Sequence, residues 1–143
     1  MAQDVVALLP KAGQKASTDD VTNRFRIPEV NQIMIDLREE GLEFKSIEDI
    51  KAVLIPKLDK IHHSFIVQCM AQLEDRGYDT SRFEPLTEIH RINRAHSGIN
   101  CQSPNCSFGI RFRRAPSKDP NVESEVYVFK GSIFSGKHSG PFH

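Results

Sequence analysis

The residue types best suited to chemistry cluster near the C-terminus. Six of the nine cysteines and histidines lie in the last 54 positions. Cys101 and Cys106 are separated by four residues that include serine, proline and asparagine. These residues favour a tight turn, which would aim both sulfurs at one point. Zinc in proteins takes four ligands of this kind, usually thiolate and imidazole, at tetrahedral geometry. The cysteine pair therefore predicts half of a zinc site.

The histidines supply candidates for the other half. His138 follows a predicted strand that returns the chain to the level of Cys106. For the fourth ligand we favour His96, five residues before Cys101, over the terminal His143, because ordering a chain end costs conformational entropy. His90 is a third choice. The predicted Zn²⁺ ligands are Cys101, Cys106, His138 and His96, with His143 as the alternative fourth ligand.

A predicted β hairpin would position these ligands. In residues 107–114, Phe108, Ile110 and Phe112 alternate with Arg111 and Arg113. Alternation of apolar and polar residues is typical of a half-buried strand. Residues 125–134 are again rich in β-formers, and a turn-rich stretch joins the two segments. We therefore expect an antiparallel hairpin.

The first 98 residues predict helices. Pro28 suits a first helical position and Gly41 a helix end, while Ser46 suits an N-cap. Pro56 should kink or split the long helix that follows. The predicted helices cover about residues 17–26, 28–41, 46–77 and 85–95. The expected fold class is α+β, mainly α: an N-terminal bundle of about four helices (1–98), with a small zinc-stabilised β-hairpin module packed on it (99–143).

The composition describes an ordinary soluble protein. Of 143 residues, 38% are hydrophobic and 27% are charged, and no apolar run approaches the ~18 residues of a membrane helix. The N-terminus lacks the basic-then-apolar pattern of a secretory signal. Three cysteines, an odd count, argue against a disulfide framework. We expect an intracellular protein, cytoplasmic or nuclear, with reduced cysteines and no membrane partner. Cys69 and the histidines at 62 and 63 are interpreted as core and surface residues.

The charge is distributed unevenly. Residues 1–85 contain 11 Lys and Arg against 15 Asp and Glu, whereas residues 86–143 contain 8 against 4. A basic segment beside a zinc site predicts an anionic partner. We therefore predict nucleic-acid binding, to RNA in preference to DNA, with a structural zinc and with exposed aromatic side chains of the hairpin stacking on bases. The predicted contact residues are Arg91, Arg94, Arg111, Arg113, Arg114, Lys130 and Lys137.

Two alternatives remain. The helical part could instead make the protein an interaction adaptor or a homodimeric regulator that binds no nucleic acid. We predict that the protein is not an enzyme, because the phosphate-loop, dinucleotide, nucleophile-elbow and zincin motifs are missing. A metal-dependent hydrolase is the second alternative and the third hypothesis overall.

Overall fold

A computed structural model describes residues 24–81, 83–103, 106–130 and 137–139. In these ranges the chain forms two α-helices, seven β-strands and one short 3₁₀ turn. The helices are α1, Pro28–Glu40, and α2, Ile47–Asp75. The strands are β1 Arg24–Arg26, β2 Glu43–Phe44, β3 His90–Asn93, β4 Gly98–Cys101, β5 Gly109–Ala115, β6 Val126–Phe129 and β7 Lys137–Ser139.

Both helices begin and end where local signals place them. Pro28 opens α1, and Gly41 closes it in the left-handed conformation, at φ 60°. Glycine adopts that conformation at little cost because it has no Cβ. Ser46 caps α2, since its hydroxyl accepts a hydrogen bond from the backbone N–H of Asp49 at 3.2 Å. The predicted helices at 28–41 and 46–77 are confirmed, and α2 continues through Pro56 as one helix.

The strands form two antiparallel sheets. The larger sheet has five strands in the order β2-β6-β5-β4-β3. The smaller, which we call the terminal ribbon, pairs β1 with β7 over three residue pairs and places Phe25 opposite His138. The predicted pairing of the segments around β5 and β6 is confirmed, with Phe112 opposite Phe129. These two strands are neighbours inside a sheet and not an isolated hairpin.

The predicted four-helix bundle is wrong. Residues 85–95 form strand β3 and a 3₁₀ turn, Arg94–His96, where we expected a helix. The three-residue spacing of Leu86, Ile89 and Ile92 suggested a helix face, but Leu86 is exposed and Ile89 is buried. Pairing of β3 with β4 outweighs that local pattern. The predicted helix at 17–26 lies mostly outside the described residues, and its last three positions form β1.

One core joins the helices to the inner face of the five-stranded sheet. Its fully buried side chains come from α1, α2, β4, β5 and the residue that precedes β3, among them Val30, Leu58, Ile89, Ile99 and Ile110. The boundary predicted after residue 98 falls within β4, which starts at Gly98. The β3–β4 hairpin therefore spans the two predicted segments, and both contribute to the same core.

In the part of the chain described above, no helix combines the length and the hydropathy needed to cross a lipid bilayer.

Candidate metal centre

Three of the four favoured ligands come together. The ligand atoms of Cys101, Cys106 and His138 all lie within 4.8 Å of one another. The Cys106 Sγ and His138 Nδ1 atoms are 3.4 Å apart. Donor atoms at zinc bond lengths of about 2.0–2.3 Å in a tetrahedron lie roughly 3.3–3.8 Å apart. These three residues can therefore hold a metal ion after only a small contraction.

Each ligand is placed by a different element. Cys101 is the last residue of β4, and Cys106 lies three residues before β5, in the connection between the two strands. The backbone N–H of Ser103 donates to Cys101 Sγ at 3.4 Å, and that of Cys106 donates to the Ser103 carbonyl at 3.2 Å. N–H groups directed at a sulfur favour its thiolate form. The two sulfurs therefore lie close together, while the middle of the predicted turn, residues 104–105, lies outside the described residues.

His138 reaches the cysteines from the terminal ribbon. Its side chain is completely buried, and its ring stacks on Phe108 with centroids 4.3 Å apart and an interplanar angle of 20°. Phe108 is itself buried and lies on the chain between Cys106 and β5. The aromatic contact therefore fixes the imidazole plane beside the sulfurs before any metal is bound.

The environment keeps Cys101 in its thiol form when no metal is present. The hydrogen bond with Cys106 and burial raise the pKa of Cys101 above its usual value. A buried thiolate without a counter-charge would be costly. A divalent cation removes that cost, because a coordinated thiol loses its proton outright. Two adjacent sulfurs in such a place suit a metal better than solvent-exposed redox chemistry.

Sequence reasoning gave too little weight to three further residues beside this cluster. His90 was only a third choice, and Asp59 and His62 of α2 were left without a role. All three are buried. The rings of His62 and His90 have centroids 4.8 and 5.5 Å from that of His138. A signal for the α2 pair existed in the sequence, because Asp59 and His62 continue the apolar stripe of Leu58 and Phe65.

His90 is held as a neutral imidazole. Burial, followed by the nearby His138, lowers its pKa to about 4, although a hydrogen bond from His90 Nδ1 to Asp59 Oδ1 (2.7 Å) acts in the opposite direction. At neutral pH the ring is therefore uncharged and has one nitrogen lone pair. A neutral imidazole is the form that binds metals.

The fold does not bring the fourth predicted ligand to the cluster. His96 is exposed and lies in the 3₁₀ turn that joins β3 to β4. Cys101 lies at the opposite end of that hairpin, where it pairs with His90. The alternative ligand, His143, lies outside the described residues.

The predicted nucleic-acid contacts separate into two groups. Arg94 forms an ion pair with Glu48, and Arg114 forms one with Glu125 at 3.4 Å. Lys137 is half-buried in the terminal ribbon. Another four share the outer face of the five-stranded sheet, opposite the core. We call this set the basic sheet face, and its members are Arg91, Arg111, Arg113 and Lys130.

Register assigns these four side chains to one face. Arg91 pairs with Asn100, Gly98 pairs with Arg111, and the Lys130 N–H donates to the Arg111 carbonyl at 2.8 Å. Directly opposed residues of an antiparallel pair point to the same side. Alternation along β4 places Gly98 and Asn100 outward and Ile99 inward. Basic side chains from β3, β5 and the end of β6 therefore lie on the solvent side of one sheet.

Two glycines allow Arg111 to lie flat on this face. A Cβ at Gly98 would lie 2.9 Å from Arg111 Nη1, and one at Gly109 would lie 3.1 Å from it. The guanidinium occupies the space above both residues and donates to Asn100 Oδ1 at 2.6 Å. Arg111 is thus held in place with part of its planar group available.

Comparisons with models of protein families, with curated proteins and with solved structures found no match.

Proposed function

We propose that this protein binds one structural Zn²⁺ ion and uses the outer face of its zinc-supported sheet to bind nucleic acid. The observation that carries the zinc proposal is the convergence of Cys101, Cys106 and His138 within 4.8 Å. Two sulfurs and an imidazole are the donor set that zinc prefers, whereas calcium and magnesium require oxygen ligands. Reduced cysteines are available, because the three cysteines of the chain form no disulfide.

A structural role fits better than a catalytic one. The ligands come from β4, the turn before β5 and β7, so one ion would tie the terminal ribbon to the five-stranded sheet. The cluster is enclosed by buried groups, including Phe108 and His90. Catalytic zinc instead keeps a coordination position open to water and substrate. The protein is therefore proposed not to be a hydrolase.

Metal analysis of the purified chain tests the zinc proposal. Zinc measured by mass spectrometry should approach one ion per chain, and Cys106→Ser should abolish it. Cys69→Ala is the matched control, because Cys69 is a buried thiol on α2 that is not in the cluster. A wild-type protein that remains metal-free with zinc supplied in excess would contradict the proposal, as would equal zinc loss in both variants.

The nucleic-acid proposal rests on the basic sheet face. Arg91, Arg113 and Lys130 are exposed, and none of them forms an ion pair with another described residue. The planar guanidinium group of arginine can donate two hydrogen bonds to the oxygens of one phosphate. Phosphate contacts provide most of the affinity that does not depend on base sequence. The binding partner is proposed to be single-stranded RNA in preference to DNA, contacted along its phosphate backbone.

The expected stacking of bases on exposed aromatic side chains receives no support. Phe108 and Phe112 are buried in the core, and Phe129 packs edge-on against Phe112 at 6.4 Å. These rings are not available to stack on unpaired bases as a platform. We therefore propose binding that depends on charge and salt, with little discrimination among bases.

A charge-matched pair of double variants tests this proposal. Arg113→Gln with Lys130→Gln should weaken binding to a fluorescent single-stranded RNA. It should also make the slope of log affinity against log salt shallower, by about 0.7 for each phosphate that the variant no longer neutralises. Lys45→Gln with Lys57→Gln removes two exposed cations from elsewhere and should leave both values unchanged. Equal effects of the two pairs, or binding indifferent to salt, would refute the basic sheet face as the binding site.

The homodimeric adaptor that binds no nucleic acid is the second candidate. Light scattering of the zinc-loaded chain distinguishes the two cases, since the adaptor requires a stable dimer in the absence of nucleic acid.

A further inference from the structure

His90 occupies the position opposite a cysteine of the metal centre. It pairs with Cys101 across β3 and β4. The next pair along the ladder, Ile89 and Gln102, is hydrogen-bonded, since the Gln102 N–H donates to the Ile89 carbonyl at 2.8 Å. Hydrogen-bonded and non-hydrogen-bonded pairs alternate in an antiparallel ladder, so His90 and Cys101 form a non-hydrogen-bonded pair. In such pairs the two Cβ atoms are closest, at about 4.5–5.5 Å.

One carboxylate oxygen fixes the orientation of the His90 ring. Asp59 Oδ1 accepts the backbone N–H groups of Ile89 at 3.1 Å and of His90 at 3.0 Å. The same oxygen lies 2.7 Å from His90 Nδ1. Because an oxygen that already accepts two N–H groups is an acceptor here too, Nδ1 carries the imidazole proton. The lone pair of the ring is therefore on Nε2.

The other ring nitrogen of His90 is Nε2, and its surroundings differ from those of Nδ1. His90 Nε2 is fully buried and makes no hydrogen bond with any described residue. A buried acceptor without a partner is unfavourable, because it has lost its hydrogen bond to water and gained none in return. The ring stands 5.5 Å from that of His138 and 4.8 Å from that of Phe108, so it borders the same buried space as the three clustered ligands. A cation in that space would give Nε2 its partner.

We propose that His90 Nε2 is the fourth zinc ligand, with Asp59 as the residue that positions it. This inference rests on the zinc site proposed above. Zinc-bound histidines commonly donate their second nitrogen proton to a carboxylate, which fixes the tautomer and raises the basicity of the ligand. The resulting site is a closed Cys₂His₂ centre: Cys101, Cys106, His138 and His90.

His62 is the rival for this position. Its buried ring lies 4.8 Å from that of His138 and 5.8 Å from that of His90. Two observations favour His90. It stands directly across the ladder from Cys101, and its bond with Asp59 already sets the required tautomer. The assignment also gives Asp59 a function, because the carboxylate would connect α2 to the metal through a single histidine.

Cobalt substitution of the full-length chain tests the assignment. Cobalt(II) bound by two thiolates and two imidazoles at tetrahedral geometry gives intense ligand-field bands and sulfur-to-cobalt charge transfer. His90→Ala should keep the charge transfer but lose much of the ligand-field intensity, as water enters the coordination sphere. Added imidazole should restore it. His62→Ala, the matched loss of a second buried imidazole, should leave the spectrum tetrahedral.

Asp59→Asn provides a second arm. The spectrum should remain tetrahedral while zinc affinity falls by about 10- to 100-fold, as is typical for the loss of an orienting partner. His63→Gln, also on α2, should leave the affinity unchanged. An Asp59→Asn protein with wild-type zinc affinity would overturn the positioning role.

Nitrogen NMR of the wild-type protein avoids any dependence on variants that fail to fold. On zinc binding, the long-range ¹H–¹⁵N spectrum should show His90 with a metal-bound Nε2 and a protonated Nδ1. A His90 pattern that does not change, or a tetrahedral spectrum lost in His62→Ala and retained in His90→Ala, would overturn the proposal. A wild-type chain that binds neither cobalt nor zinc would instead refute the metal site itself.

Discussion

Removal of the metal should open the terminal ribbon before the rest of the protein. The ribbon pairs β1 with β7 over only three positions, from Arg24 opposite Ser139 to Arg26 opposite Lys137. An isolated two-stranded ribbon is marginally stable in water even when it is longer. The central residue of β7, His138, is also a metal ligand in our proposal. We therefore expect ligation to supply most of the stability that holds β7 in place.

The size of the effect follows from mass action. A ligand that binds only the closed state stabilises it by about 4.1 kcal/mol when its free concentration is 1,000 times the dissociation constant. If opening of the ribbon releases zinc, chelation should reduce the protection of ribbon amides from hydrogen exchange by up to about 1,000-fold. Where unfolding of the whole domain also releases zinc, about 4 kcal/mol corresponds to a fall in Tm of roughly 8–16 °C for a chain near 150 residues.

Hydrogen exchange followed by mass spectrometry measures this loss of amide protection separately for each peptide. Peptides covering β7 and the Cys101–Cys106 turn should exchange faster after chelation, and peptides covering α1 should change much less. The Cys69→Ala protein should respond as the wild type does. If chelation leaves ribbon peptides unchanged, or accelerates α1 to the same extent, the reasoning that ligation specifically closes the ribbon is refuted.

Three further predictions concern single positions. Gly98→Ala should destabilise the fold by about 1–3 kcal/mol in urea unfolding, because its Cβ would lie 2.4 Å from the Ile110 carbonyl oxygen. Glu43, whose pKa is lowered by hydrogen bonds from the loop after β5, should stabilise the protein above pH 4.5, and this contribution should disappear as the pH falls through the lowered pKa. The Glu43→Gln difference in unfolding free energy, followed from pH 7 to pH 3, should shrink accordingly, and a constant difference would contradict it. His96→Gln should retain wild-type zinc affinity by competition titration, since His96 is exposed in a turn, and a loss of affinity would restore it as a ligand.

Short-range sequence signals correctly predicted both helices and strand β5. Pro28, Gly41 and Ser46 mark helix ends through backbone geometry and a single hydrogen bond, so α1 and α2 could be read from the sequence. The alternation around Phe112 likewise predicted β5. None of these signals depends on distant residues.

The remaining strands depend on distant partners and could not be read in this way. Strand β2 has only two residues and pairs with β6, more than 80 positions away. Strand β3 looks helical in isolation. It is extended because its backbone pairs with β4, and because Asp59 accepts the N–H groups of His90 and of Ile89 just before the strand. Pairing energies of this kind have no counterpart in a local window of sequence.

The same error explains the uncertain fourth ligand. With residues 85–95 taken as a helix, His96 stood just past the predicted helix end and five residues before Cys101, and so was expected to tie that helix to the hairpin. The actual β3–β4 register reverses the order: it places His90 opposite Cys101 and moves His96 to the far turn. Residue types were sufficient to predict a metal cluster, but only the strand register could choose among the histidines.

The position of the cluster also suggests how the proposed buried metal could influence the basic sheet face. Cys101 points inward from β4, and its neighbour Asn100 points outward, where it accepts the hydrogen bond from Arg111. Because side chains alternate between the two faces of a strand, a shift in the register of β4 would displace Cys101 and Asn100 together. A core built only from apolar side chains would stabilise the sheet without fixing the Cys101–Cys106 turn or the register of β4. An ion with four ligands would fix both, because each metal–ligand bond has a narrow range of lengths. In this proposal zinc would act on nucleic-acid binding only indirectly, by holding the strand whose outer side positions Arg111.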